Sequence, residues 1–152
     1  MPHITVVGLG NQGKAWANNL RDSRFSVSIS GRAKSEGGEG ESRANDMGFD
    51  FLEPENLAAS AGPFALLMPD EKIPNYFQKY FDAGGRTGKT FLFDHGFSVV
   101  FGKLAFHQDD NVILVAPTGI GAKLRESYCE GSGVMGVLGV HQKIEMPYPS
   151  KK

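Results

Sequence analysis

Glycines at positions 8, 10 and 13 form a Gly-x-Gly-x-x-Gly array directly behind a short apolar run, Ile4, Thr5, Val6 and Val7. That order does particular chemistry. A strand over 4–7 delivers the chain to a turn, and a helix beginning near Asn11 or Gln12 carries it away. Gly8 makes the tight turn. Gly10 lets the backbone approach a pyrophosphate that a Cβ would hold off, and Gly13 lets the helix lie close to the strand. An anion would then rest on the orphan N–H groups at the positive end of the helix. In a chain with 20 glycines a lone match is weak. The apolar run before it and the helix-compatible run from Lys14 to Arg21 after it favour dinucleotide binding over a structural glycine turn.

The second chemical signal lies at the end of the next strand, where Phe25 to Ser30 alternates apolar and polar residues. In dinucleotide folds an acid there accepts from the ribose 2′-OH of NAD, whereas an arginine accommodates the 2′-phosphate of NADP. Here the strand leads into Gly31 and Arg32, with Lys34 and Ser35 beyond and no carboxylate before Glu36. Arg32 can grip a phosphate in a planar, bidentate contact. The expected cofactor is therefore NADP(H), with a merely solvated basic loop as the alternative. Glu36, Glu39 and Glu41 would weaken the local positive field.

Two further strand ends carry reactive groups. The apolar run over 64–68 stops at Pro69, Asp70 and Glu71, and the run over 90–93 delivers Asp94, His95 and Gly96. His95 is the one histidine at a strand end beside a glycine, where it could face a ligand; His3, His107 and His141 have no such setting. Asp109 and Asp110 read as a solvated turn, Cys129 as a small, partly buried residue, and Trp16 as packing.

These groups need a scaffold. Helical spacing predicts helices over 11–22, 42–47, 54–60, 123–130 and a stretch anchored by Tyr76, Phe77, Tyr80 and Phe81, broken at 84–88. Strands are predicted over 4–7, 25–30, 49–52, 64–68, 90–93, 111–116 and 134–140. The alternation implies an α/β fold: a Rossmann-type, doubly wound, mostly parallel sheet in three α/β/α layers, a single domain over 1–142 with a flexible tail over 143–152. In such sheets ligands bind outside the carboxyl ends of the strands, so these loops converge on one edge.

Composition bounds the partners. The 152 residues are 40% hydrophobic and 22% charged, with net charge −1, so there is no global electrostatic case for nucleic acid or an anionic membrane. No apolar run is long enough to span a bilayer. The single cysteine and the absence of a leader pattern before the first strand lead to the expectation of a cytoplasmic protein.

The strand-end segments resemble the N-terminal domain of ketol-acid reductoisomerase, an NADPH- and magnesium-dependent enzyme of branched-chain amino acid synthesis. The matching pieces are Gly8 to Gly13, Asn19 to Ser23, Gly31-Arg32, Met68 to Glu71, Asp94 to Phe97 with Phe101-Gly102, Val115 to Pro117 with Gly121, Glu130-Gly131, Gly133-Val134, and Val140 to Gln142. The resemblance implies that Leu9, Gly10, Asn11 and Gln12 wrap the pyrophosphate, and that Arg32 and Ser35 hold the 2′-phosphate. Pro69, Asp70 and Glu71 would line the way to the nicotinamide, Gly121 would touch the cofactor, and His95 matches an active-site histidine. Two positions depart from the family: Thr118 stands where the family has a lysine, and the family carries a glutamine near Ile73, whose polar contacts an isoleucine cannot make. Beyond Gln142 no helix is expected that could supply the family's magnesium carboxylates, so the metal is expected only if a partner chain brings them.

Three functions follow as expectations. The first is an NADP(H)-binding, reductase-type domain acting on a small keto acid, without isomeroreduction by this chain alone. The second is a non-catalytic sensor or assembly subunit. The third is a stand-alone NADP reductase of another small ketone or imine. An uncovered sheet edge near 134–140 leads to the expectation of a homodimer.

Overall fold

The computed structural model describes residues 1–81 and 88–143, so the predicted break at 84–88 and the predicted tail fall almost wholly outside the described residues. The sheet is built outward from β1 (His3–Val7), whose last four residues are buried. On one side β1 pairs in parallel with β2 (Ser26–Ser30), and β2 with the short β3 (Asp50–Phe51). On the other side β1 pairs in parallel with β4 (Phe64–Leu66), followed by β5 (Thr90–Phe93) and β6 (Asn111–Pro117). An antiparallel edge strand, β7 (Gly136–Gln142), completes the order β3-β2-β1-β4-β5-β6-β7. The direction of strand succession reverses at β1 and β4, which opens a crevice at their carboxyl ends.

Side-chain alternation along the strands divides the core into two layers. Val6 and Ala65 face one layer with Ile4, Val27, Ile29, Ala17 and Phe49. Their neighbours Val7, Phe64 and Leu66 face the other, with Phe77, Phe81, Phe91 and Phe93. The second layer is strongly aromatic: Phe64, Phe77 and Phe81 each lie within 5.9 Å of the Phe91 ring centroid. The helices covering these faces include α1 (Asn11–Asp22), α2 (Gly40–Asp46) and α3 (Ile73–Tyr80). The layered Rossmann architecture expected from sequence is the one observed.

Several local elements differ from expectation. The predicted helix over 54–60 is reduced to a 3₁₀ turn at Pro54–Asn56, and a second such turn, Lys34–Glu36, lies inside the predicted loop. A short helix, α4 (Phe97–Phe101), follows His95 where none was expected. The last helix, α5 (Gly121–Cys129), starts two residues earlier than predicted and packs on α1. Asp22 pairs with Arg125 across that contact at 2.7 Å. After α5 the chain returns to the end of the sheet at which β6 finished, as the pairing of Pro117 with Gly136 records, so β7 must run antiparallel.

Two side chains also sit differently. Asp110 is fully buried: one carboxylate oxygen accepts the Lys89 N–H at 2.9 Å and the other the His107 N–H at 2.7 Å. It therefore ties the loop into β6, whereas Asp109 remains exposed beside His107. Cys129 is exposed. No helix among the described residues is long and apolar enough to cross a membrane.

Candidate functional site

The three glycines of the first turn meet three different demands. Gly8 has φ +107°, a left-handed conformation that strains any residue with a Cβ, and its N–H donates to the Ser30 carbonyl at 2.9 Å. A Cβ on Gly13 would stand 1.9 Å from the Gly8 carbonyl oxygen, so glycine there is required for α1 to close on the turn. At Gly10 a Cβ would meet no protein atom within 4 Å. It would project into open space at the mouth of a cleft, where packing among the described residues does not explain the glycine and a ligand could press against the backbone. No side chain caps the N-terminus of α1, which leaves its first-turn N–H groups directed at that space.

The cleft has two connected parts. The larger, of about 720 Å³, runs from the glycine turn past the end of β2 to α3 and includes Gly8, Leu9, Gly10, Arg32, Pro69 and Glu71. The smaller, of about 290 Å³, includes Asn11, Gln12, Asp70, Asp94 and His95. Both share Gly10, Leu67, Met68 and Pro69, so the glycine turn lies midway along one extended crevice. An elongated molecule with an anionic centre fits this shape: one end at Arg32, the other at His95, the middle over the start of α1. Among the described residues the buried Oε1 of Gln12 has no hydrogen-bond partner, an acceptor that a ligand's donor could satisfy.

Ten of the thirteen residues assigned from sequence line this crevice. Gly13 stands behind it, supporting the turn. Ser35 is exposed on the Lys34–Glu36 turn and lines neither part. Gly121 is buried beneath the turn; a Cβ there would lie 2.1 Å from the Asn11 carbonyl oxygen. Its geometry is that of a support holding the start of α5 against the turn, not of a cleft wall.

Side chains that sequence reasoning did not assign complete the larger part. Arg43 on α2 donates from Nη2 to the Leu9 carbonyl at 2.8 Å. The Tyr76 hydroxyl donates to the Gly31 carbonyl at 2.9 Å, and burial pushes its phenol far up, so it stays a neutral donor. Glu36 and Lys79 form an ion pair, and Lys34 pairs with Glu41 at 3.4 Å. Two of the three acids expected to weaken the field around Arg32 are thus matched by lysines. No spacing rule links Arg43 to Leu9 or Lys79 to Glu36; the contacts exist only once α2 and α3 are folded against the sheet.

In the smaller part, His95 stands between two carboxylates. Its Nδ1 lies 3.8 Å from Asp70 and its Nε2 4.0 Å from Asp94, close for charge interaction and too long for hydrogen bonds. Burial raises the Asp94 carboxyl above the usual range, the nearby His95 opposes that rise, and the negative charge of Asp70 adds to it. The Ser98 hydroxyl donates to Asp70 at 3.1 Å. The two departures noted from sequence are structurally committed. Ile73 is buried in the aromatic layer, and both the N–H and the hydroxyl of Thr118 donate to the Met135 carbonyl at 2.8 Å. Among the described residues no group of three or more His, Cys, Asp or Glu could hold a metal ion.

The sequence model of the acetohydroxy acid isomeroreductase NADPH-binding domain matches residues 2–147. The ketol-acid reductoisomerase (NADP(+)) of Xanthomonas euvesicatoria pv. vesicatoria is 38% identical over 141 residues, which is 93% of this chain and 41% of that protein. The enzyme of the same name from Xylella fastidiosa is 37% identical over 93% of this chain and 39% of its own length. The chain thus spans about two-fifths of the curated relatives it matches. A solved NADH-preferring ketol-acid reductoisomerase from an uncultured archean superposes with a TM-score of 0.84 at 34% identity, covering 93% of this chain and 43% of that one. A 1-pyrroline-5-carboxylate reductase from Streptococcus pyogenes shares the fold, with a TM-score of 0.71 at 13% identity over 94% of this chain and 50% of that one.

Proposed function

The chain belongs to the acetohydroxy acid isomeroreductase NADPH-binding domain family, and from that premise we propose that its crevice binds NADP(H) for a reductase-type reaction on a small keto acid. One observation carries the reading: the crevice is continuous from Arg32 to His95 over the uncapped start of α1, with the open Gly10 face at its centre. The adenosine end lies at Arg32 and Arg43, where two guanidinium groups meet the 2′-phosphate and the neighbouring phosphates. The pyrophosphate rests on the N–H groups of the turn and of the start of α1. The nicotinamide end reaches Asp70, Asp94 and His95, with the free Gln12 acceptor beside it.

Bound NADPH supplies a hydride to a carbonyl carbon. Reduction of a carbonyl also needs a proton on oxygen, and His95, exposed in the smaller hollow and flanked by two carboxylates, is placed to give it. The neutral Thr118 hydroxyl cannot supply the ammonium of the family's lysine. Isomeroreduction therefore needs groups beyond those of this chain's crevice, including carboxylates for magnesium, contributed by a further domain or a partner chain. The commitment of Thr118 to Met135 equally favours a second reading, in which the domain binds the dinucleotide as a sensor or assembly subunit. We further propose a cytoplasmic homodimer, joined through the exposed apolar strand β7.

Fluorescence titration of the protein with NADPH and NADH tests the cofactor assignment. Saturable binding with a preference for NADPH is expected. Binding of neither nucleotide, or tighter binding of NADH, would reject it. Steady-state NADPH oxidation with 2-keto acids separates the reductase from the sensor, since the sensor reading predicts binding without turnover.

A further inference from the structure

The end of β2 lacks the acid that would select NAD, yet the folded chain returns one to the same wall of the cleft. Glu36, four residues beyond Arg32, sits at the end of the Lys34–Glu36 turn and lines the larger part of the crevice together with Arg32. A carboxylate at the ribose end accepts readily from a free 2′-OH and repels a 2′-phosphate of about two negative charges. Taken alone, Glu36 would turn this cleft against the cofactor that Arg32 favours.

It is not alone. Lys79, on α3 and 43 residues away in sequence, pairs with one oxygen of the Glu36 carboxylate. The Tyr80 hydroxyl lies 3.4 Å from the other. The contact holds Glu36 below the usual carboxylate range, so it is an anion whose charge is met by a cation. Lys79 is itself steadied: its ammonium stands 4.9 Å from the Tyr80 ring centroid, and that ring packs on Tyr76 at 4.6 Å. The charged side chains lining this part of the crevice are four basic (Arg32, Arg43, Lys72 and Lys79) and three acidic (Glu36, Glu39 and Glu71), so the excess of positive charge disappears without Lys79.

Resting on the reading of the crevice as an NADP(H) site, we propose that Lys79 is a specificity-determining residue: by neutralising Glu36 it keeps the adenosine end open to a phosphorylated ribose. It acts through Glu36 and not as a ligand of the phosphate. The two residues form one unit that could be read from neither position separately.

The test is a double-mutant cycle on dissociation constants for NADPH and NADH, measured by fluorescence titration of the wild type, K79M, E36Q, K79M/E36Q and K79R. Both positions are partly exposed, and thermal melts monitor folding. K79M is expected to shift the NADPH-to-NADH ratio of dissociation constants toward NADH by about tenfold, as expected for an unscreened carboxylate close to a phosphate. K79M/E36Q should return the ratio to within about threefold of wild type, and K79R should keep it. A wild type that favours NADPH together with an unchanged ratio in K79M overturns the proposal while leaving the cofactor assignment standing. Failure of E36Q to rescue K79M also overturns it, because Lys79 would then contact the phosphate itself. Binding of neither nucleotide by the wild type overturns the cofactor assignment and this proposal with it.

Discussion

Arg43 donates from Nη2 to the carbonyl oxygen of Leu9 at 2.8 Å, so a residue of α2 holds the middle of the glycine turn while its remaining donors border the cleft. Arg43→Ala removes a charge-assisted bond and a cation bordering the cleft together. Stability should fall by about 1–2 kcal/mol in denaturant unfolding, and NADPH affinity by about tenfold in titration. Arg43→Lys should recover part of the affinity, because the charge remains while the fork is lost.

Gly10 and Gly13 should separate binding from folding. Gly13→Ala places a methyl group on the Gly8 carbonyl and should cost about 3 kcal/mol or more, seen as a large drop in Tm. Gly10→Ala meets no protein atom, so its Tm should stay near that of the wild type while NADPH affinity falls. A Gly10→Ala protein that bound NADPH normally would remove the pyrophosphate from this turn.

Gly121→Ala tests the support behind the turn. Its Cβ would strike the backbone of Asn11 and Gln12, so both stability and NADPH affinity should decline although the residue lines no part of the cleft. Hydrogen exchange should show the loosening first at the start of α1.

Asp94 gives a pH signature. Its folded-state pKa is raised, chiefly by burial, so between the ordinary carboxylate value near 3.9 and the raised value the folded state holds more protons than the unfolded one. Stability from this group is therefore greatest at low pH and is lost as pH rises through the folded pKa. Asp94→Asn should raise Tm at pH 7 relative to wild type, with the difference vanishing below the ordinary carboxylate range. Thermal melts across pH 3–8 check this.

The donation from the Thr118 N–H to the Met135 carbonyl sets the phase of the last strand pair. Residues 135, 137 and 139 direct their backbone groups toward β6, so those of Gly136, Leu138 and Val140 point out of the sheet edge. No charged residue occurs in β7, and Leu138 is 78% exposed. A Leu138→Lys substitution should convert the proposed dimer to a monomer in light scattering without loss of NADPH binding.

The glycine turn was legible in the sequence because its requirement is local. The turn over 8–13 needs Gly8 for its backbone conformation and Gly13 for the helix to close on it, and a helix over 11–22 needs only its own periodicity. Both emerged as expected, as did the parallel core and the gathering of strand ends on one edge. The family followed from the same segments, because they keep their order along the chain.

The rest depended on distance in space. Asp110 looked like solvent-exposed turn chemistry and is a buried acceptor, because only the packed loop brings the Lys89 and His107 amides to it. Ser35 matched a phosphate-binding pattern, but on the 3₁₀ turn it is exposed and lines neither part of the cleft, whereas Glu36 does. The pairing of Arg43 with Leu9 and of Lys79 with Glu36 joins residues 34 and 43 positions apart, through elements whose relative placement is decided by burial of apolar faces. The sequence by itself determined the nucleotide-binding turn, the doubly wound fold and the family, each carried by short-range patterns. Tertiary packing alone decided which charges line the larger part of the crevice and which are cancelled, because electrostatic partnership depends on separation in space and not along the chain.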